Sequence, residues 1–493
     1  MSQPIRIPVR NPRTGEFDYH IQPPSPAELA AQCRRLRSAQ PAWEAREAAG
    51  RAEVLRRWAD VLQARRDALV DAECADTGRF RLSREIVDVT IGGVRSWCDR
   101  APGLIEAAIR RGQSTIWPNV RFESQLQPYR LLGVISPWNH PLFLSTVDAI
   151  PALLAGCAVV VKCSEIAPRF SDPVMDAIRA VPELAAVFTF VQGAGETGQQ
   201  LIELADAVCF TGSVATGRKV AAACAHRFIP AFLELGGKDP AIVTAGADVE
   251  QACQAVLRGG VFATGQICHA IERVYVHRSL FQPFVQRLVE QAQALRLNYP
   301  DDARGHIGPF IMERQAAIVD AQLDDAVARG ARILTGGKSE RHGGGVYMRP
   351  TVLVDVDHSM EIMVEETFGP VIPVMPFDNE EEAVRLANDS QFGLSAAVIA
   401  GTPEDAERIG RRLDAGGISL QDTTLTIAIT RDAEKSAFQL SGIGESRMGP
   451  SAILRYFRRK VLMTNTARPV VMSSLSEDLP PRRADTRDGR DPA

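Results

Sequence analysis

"CAVVVKCSE", residues 157–165, is the stretch on which the reading of the fold turns. Ala158 to Val161 are apolar without alternation, as in a strand buried on both faces, the habit of parallel strands covered by helices. The run ends in Lys162. The chain has six lysines against fifty arginines, so a lysine closing an apolar strand is a candidate functional residue rather than filler. Similar short runs surround it: "LLGVISP" at 131–137, "VFTFVQG" at 187–193 and "AVCFTGS" at 207–213, with helical stretches between them. A second series follows Gly236, in "PAIVTA", "RVYVH", "ARILTGG", "PTVLVDV" and "AAVIAG". Strands alternating with helices imply parallel sheets, and two successive series imply an α/β chain of two lobes with a cleft between them. Upstream, residues 25–77 read as helical. Ser25, Pro26 and Glu28 form a capping box with proline at the first helical position. Leu29, Cys33 and Leu36 share one face, and Val54, Trp58 and Val61 share another.

Composition narrows the function classes. A net charge of −4 over 493 residues leaves no basic footprint for nucleic acid. The nine cysteines are odd in number and none is spaced CxxC, which argues against a disulfide framework and against a zinc site; no metal is expected. No apolar run reaches membrane-spanning length, and the first residues lack an apolar signal core. The expectation is a cytoplasmic protein with no membrane partner.

Two glycine-bearing turns point to a dinucleotide. "GAGETG", 193–198, fits GxGxxG, but the acid that the fingerprint wants about 20 residues on is Ser213. "FTGSVATG", 210–217, is a second strand-to-helix turn whose free N–H groups suit a pyrophosphate. "TGQICHA", 264–270, sets Cys268 in a glycine-flanked turn. A lone loop cysteine is usually inert. His269 adjoins it, but neighbours on extended backbone point apart, so a Cys–His dyad is not expected. Its company changes its weight: "FLELGGKDP" puts Glu234 at a strand end, "SPWNHP" puts Asn139 at another, and "EETFGP" supplies Glu366 and Phe368.

In this order, PWN-x-P, a strand-ending lysine, FTGS-x-x-x-G, ELGGK, GQ-x-C and E-x-FGP resemble the aldehyde dehydrogenase superfamily, from about residue 10 to about 460. The resemblance implies two Rossmann-like parallel-sheet lobes with a small β bridging and oligomerisation element. Residues 1–111 and 130–235 would bind NAD, 236–429 would be catalytic, 112–129 and 430–472 would be bridging strands, and 473–493 would form a disordered tail. It implies Cys268 as nucleophile, Asn139 as oxyanion donor and Glu234 as activator of the hydrolytic water. It places Lys162 and Glu165 on the adenosine ribose, Gly195 near the adenine, Trp138 and Ser213 on the pyrophosphate, Gln315 and Glu366 on the nicotinamide ribose, and Phe368 beside the nicotinamide. The cofactor expected is NAD, with NADP possible. His140, Leu144, Val147 and Phe438 would line the substrate pocket.

The chain also departs from the family pattern. Ala263 stands where asparagine is usual, "FQLSG" at 438–442 shortens a glycine-rich motif, and Gln421 replaces another asparagine. These bear on the pocket rather than the reaction. An apolar tunnel then suggests a medium-chain aliphatic or aromatic aldehyde, and the resemblance of "GQSTIWPNVRFESQLQPYRLL" and "SAILRYFRRKVLMTN" to the family's bridging strands implies a homodimer or homotetramer. Two alternatives compete: an acylating, coenzyme A-dependent dehydrogenase, whose branch generally lacks the glutamate found at 234, and a non-catalytic binding relative, which would have lost Cys268, Asn139 or Glu234.

Overall fold

The structure, a computed structural model, describes residues 6–478. The described residues divide into two compact units, one drawn from 6–106 and 128–458 and the other from 107–127 and 459–478.

The larger unit holds two extended sheets. The first runs, edge to edge, Gly442–Ile443, Ala231–Glu234, Ala207–Thr211, Leu131–Ile135, Ala158–Lys162, Phe188–Val191. All its pairings are parallel except that of Gly442–Ile443 against Ala231–Glu234. Strand order reverses beside Leu131–Ile135, which has Ala158–Lys162 on one side and Ala207–Thr211 on the other; such a switch point opens a crevice at the carboxyl ends of the strands. The second sheet runs Arg332–Thr335, Thr351–Val354, Val371–Phe377, Ile271–His277, Asp239–Val243, Ser395–Ile399, Gly417–Leu420. Both series read in the sequence form sheets, and the fold is the Rossmann-like α/β arrangement expected; one strand of the second series departs from the parallel expectation, since Arg332–Thr335 pairs antiparallel with Thr351–Val354 at the sheet edge. Val371–Phe377 escapes the sequence reading because Pro373 and Pro376 speak against a central strand. Here Pro376 pairs in register with Val276 and Pro373 with Leu353, where the slanted parallel ladder tolerates them.

Helices cover the sheets. Ser25 and Glu28 form the expected capping box at the start of Pro26–Glu44, followed by Glu47–Ala64 and Arg66–Thr77. Trp58 is fully buried and meets Phe188 edge to face at 5.7 Å, fixing the second helix against the edge strand. Phe80–Ala107 adds a helix of 28 residues.

The smaller unit is a three-stranded sheet ordered Phe457–Asn465, Val120–Pro128, Arg111–Gln113. The expectation that all of 430–472 bridges is corrected. Phe438–Gln439 pairs with Phe392–Gly393, and Gly442–Ile443 joins the first sheet through Leu233 and Glu234. Both lie in the larger unit, where Gly442–Ile443 takes the open edge of the first sheet and Phe438–Gln439 forms a two-stranded sheet with Phe392–Gly393. Of the expected tail, Met472–Leu475 is a single 3-10 turn and residues 479–493 lie outside the described residues.

Candidate active site

Five parallel strands of the first sheet end level with one another. Ile135 is in register with Lys162 and Phe210, Lys162 with Val191, and Thr211 with Glu234. The loops beyond these ends carry Trp138, Asn139, Glu165, Gly195 and Ser213. Together with Cys268, Gln315, Glu366, Phe368 and Leu144 they line a cleft of about 910 Å³. The cleft thus gathers these side chains, which lie up to 230 positions apart in sequence.

One end of the cleft carries donors. Lys162 is buried, and its Nζ donates to Glu165 Oε2 at 3.0 Å. Ser213 caps the helix Val214–His226 by accepting from Thr216 N, so the other free N–H groups of that first turn face an opening lined by Gly212 and Thr216. Gly195 begins the helix Gly195–Leu204; a Cβ there would meet no atom within 4 Å, which leaves the backbone open to the cleft.

Farther along, Trp138 and Phe368 meet edge to face at 5.4 Å. Gln315 Nε2 donates to the Thr367 carbonyl at 2.8 Å. Glu366 accepts from Gly237 N at 3.2 Å, and desolvation, reinforced by the neighbouring Glu272 carboxylate, pushes its carboxyl up to about 8. Beneath this wall lies a buried ion pair that sequence reading passed over. Lys238 Nζ donates to Glu272 Oε2 and Thr367 Oγ1, both at 2.8 Å, while Glu272 accepts from the backbone N–H of Thr367 and Phe368. It fixes the loop that presents Glu366 and Phe368. The rarity of lysine that flagged Lys162 applies equally to Lys238 and to Lys435.

Cys268 sits in a turn reached through three left-handed residues, Ala263, Thr264 and Gly265. Gly265 has no substitute: a Cβ would lie 2.1 Å from the Gly369 carbonyl oxygen. Asn139 is buried and ties its amide to this turn, Nδ2 donating to the Gln266 carbonyl at 3.1 Å. Among the described residues, which include all nine cysteines, every thiol is free and Cys268 is the one not fully buried. Desolvation pushes its thiol up to about 12, opposed chiefly by the Lys435 ammonium. The expectation that His269 points away is corrected: its Nδ1 lies 3.6 Å from Cys268 Sγ, because the backbone there turns instead of extending. Desolvation, then Lys435, holds that imidazole down to about 4, so it is neutral and no cationic partner for a thiolate.

Four expected residues do not line this cleft, although Glu234 closes its strand as expected. Glu234 ends its strand half-buried, with Leu235 and Gly236 forming the cleft wall in its place; its Oε1 lies 3.7 Å from Arg447 Nε. Val147 caps the helix Pro141–Thr146 and stands off the cleft wall, which that helix lines through Leu144. His140 is buried behind the wall, where desolvation, then Arg79, holds it down to about 3. Phe438 is exposed on the two-residue strand beside Gly393 and forms no wall of the cleft, because its strand pairs at a different edge.

Comparison with known proteins decides the class. A model of the aldehyde dehydrogenase family matches residues 1–462. The chain belongs to the aldehyde dehydrogenase family. It is 35% identical over 461 residues to a putative succinate-semialdehyde dehydrogenase [NADP(+)] of Mycolicibacterium smegmatis, covering 93% of this chain and 88% of that one. The structure of a putative aldehyde dehydrogenase from Anabaena variabilis superposes with a TM-score of 0.92 at 50% identity, over 95% of this chain and 99% of that one. That of betaine aldehyde dehydrogenase from Staphylococcus aureus in complex with NAD+ gives 0.89 at 30%, over 95% and 93%. This aldehyde dehydrogenase is therefore an oxidoreductase of the NAD(P)-dependent kind. No helix among its described residues is long and apolar enough to cross a membrane.

Proposed function

We propose that the enzyme oxidises an aldehyde to the free carboxylic acid with Cys268 as nucleophile. The observation that carries this reading is the convergence on one cleft of Cys268, the Asn139 amide and a dinucleotide donor set. The Cys268 thiolate bonds to the aldehyde carbon, and the carbonyl electron pair moves onto oxygen. Asn139 Nδ2–H and the Cys268 backbone N–H hold that oxyanion; a preorganised donor of this kind contributes about 3–4 kcal/mol to the barrier. Bound NAD(P)+ supplies the hydride acceptor that turns the adduct into a thioester. Lys162 and Glu165 would hold the adenosine ribose of that cofactor, Gly195 would border the adenine, Ser213 and Trp138 the pyrophosphate, Gln315 and Glu366 the second ribose, and Phe368 the nicotinamide. Residues 6–111 and 130–235 then serve the cofactor and 236–429 the chemistry. Glu234 takes a proton from water as the water oxygen bonds to the acyl carbon and the carbon–sulfur bond breaks, returning the Cys268 thiolate.

For the aldehyde tail we propose an apolar chain. The segment from Pro141 to Thr146 carries no charge, and Leu144 lies on the cleft wall. Each buried CH₂ then contributes about 0.8 kcal/mol. One observation favours a carboxylated tail instead: the Lys435 ammonium lies within electrostatic reach of Cys268 and His269 and bonds a backbone carbonyl, that of Leu394 at 3.4 Å, rather than a carboxylate. The specificity constant for hexanal against that for succinic semialdehyde separates the two. Cys268→Ser tests the core of the proposal. It should lower turnover by at least three orders of magnitude and leave cofactor affinity within twofold, since the thiolate acts on the aldehyde carbon alone. Turnover above a tenth of wild type would remove Cys268 from the mechanism.

A further inference from the structure

Glu234 shares its corner of the first sheet with a buried cation that belongs to none of the expected motifs. Arg447 follows the strand Gly442–Ile443, which runs antiparallel to the strand of Glu234. Its Nη2 donates to Asp148 Oδ2 at 2.9 Å and to Thr211 Oγ1 at 2.6 Å, and Thr211 is the register partner of Glu234. Asp148 is buried and also receives Arg455 and the hydroxyl of Tyr456, so the anchor at the far end of Arg447 is fixed. The near end is different. Arg447 Nε is buried, has no hydrogen-bond partner among the described residues, and lies 3.7 Å from Glu234 Oε1. The charged or titratable groups near Glu234 are thus Arg447, the second arginine Arg455, and the Cys268 thiol on the facing turn. A guanidinium tethered by Nη2, with Nε turned to a carboxylate just beyond hydrogen-bond length, can hold that carboxylate without locking it.

We propose that Arg447 is a positioning residue for deacylation: it docks the Glu234 carboxylate in a fixed resting place from which it reaches the water that attacks the acyl-enzyme. This rests on the reading of Glu234 as the base. An arginine is suited to the task because its planar fork can bond Asp148 and Thr211 through one nitrogen while another faces Glu234. Asp148 retains Arg455 and Tyr456 when Arg447 is replaced, so the corner keeps a charge partner.

The experiment follows two rates in the full-length enzyme with hexanal and NAD+, or with whichever aldehyde and cofactor give the higher wild-type turnover. The first is the initial formation of NADH, which reports hydride transfer. The second is the disappearance of the acyl adduct on Cys268, trapped by acid quench and weighed as intact protein. Arg447→Met should slow the second rate about tenfold and leave the first within twofold. Arg447→Lys should recover at least a third of the wild-type second rate. In the double variant Glu234→Gln/Arg447→Met, acyl loss should be no slower than in Glu234→Gln alone, since a residue that acts through Glu234 has nothing left to position. Equal slowing of both rates, an unchanged second rate, no recovery with lysine, or multiplication of the two single effects would each overturn the proposal. If Arg447→Met does not fold, Arg447→Gln, which keeps a donor for Asp148, is held to the same thresholds. An unchanged second rate in Glu234→Gln would remove the base reading and this inference with it. A slow Glu234→Gln beside a normal Arg447→Met would remove this inference alone.

Discussion

Glu165 and Lys162 form a half-buried ion pair at one end of the cleft, where we propose that the adenosine ribose binds and that the balance between them sets cofactor choice. A carboxylate accepts from ribose hydroxyls and repels a 2′-phosphate, so we expect NAD+ to be preferred. Glu165→Ser should raise the NADP+/NAD+ ratio of specificity constants by about tenfold or more; no change would place the discriminating group elsewhere. At the other end, Cys268 starts as a thiol pushed up to about 12. Hydride transfer should therefore accelerate with pH through the neutral range wherever thiolate formation limits it. Lys435 opposes the upward push, so Lys435→Met should lower the initial NADH rate at pH 8 by about threefold to tenfold, a pKa unit being worth about 1.4 kcal/mol. The identities of Cys268, Lys162 and Glu165 were legible from motif and spacing. The proximity of His269 and Lys435 to the thiol was not, because one depends on a local turn and the other crosses 167 positions of sequence.

Among elements, the turn before Cys268 shows how little freedom the site has. Gly265 combines a positive φ with backbone contact to Gly369, so Gly265→Ala has no unstrained conformation. It should cost at least about 2 kcal/mol of stability and most of the activity, read as a lower denaturant midpoint together with a slower initial NADH rate. A fall in stability without loss of rate would show that the turn does not aim Cys268. The helix Pro141–Thr146 illustrates the limit of counting positions. It is six residues long, and Val147, its C-terminal cap, does not line the cleft as Leu144 does. Phe438 failed as a wall residue for a related reason: a strand of two residues can join any open edge, and nothing local names the edge.

At the scale of the whole molecule, the smaller unit is rich in exposed apolar groups. Val461, Leu462 and Met463 on its strand Phe457–Asn465 are between 44% and 71% exposed, and Trp117 on its loop is 62% exposed. A sheet of three strands with apolar residues open to water is the composition of an interface between copies, and a homodimer or homotetramer is proposed on that ground. Val461→Glu/Met463→Glu should convert the enzyme to monomers in sedimentation without changing the α/β spectrum; an unchanged mass would exclude this strand from the interface. The sequence by itself determined the alternation of strand and helix, the two mainly parallel sheets apart from Val371–Phe377 and the antiparallel edges, and strand-closing residues such as Lys162 and Glu234, because hydrophobic period and turn chemistry act over a few positions. It also carried the family, because its motifs recur in fixed order. The tertiary structure alone decided which of those residues share a cleft, that Glu234 faces Arg447, and that Lys238 and Glu272 brace the wall behind Phe368. Those facts depend on sheet order and burial, which bring together groups whose chemistry is unremarkable until water is excluded from between them.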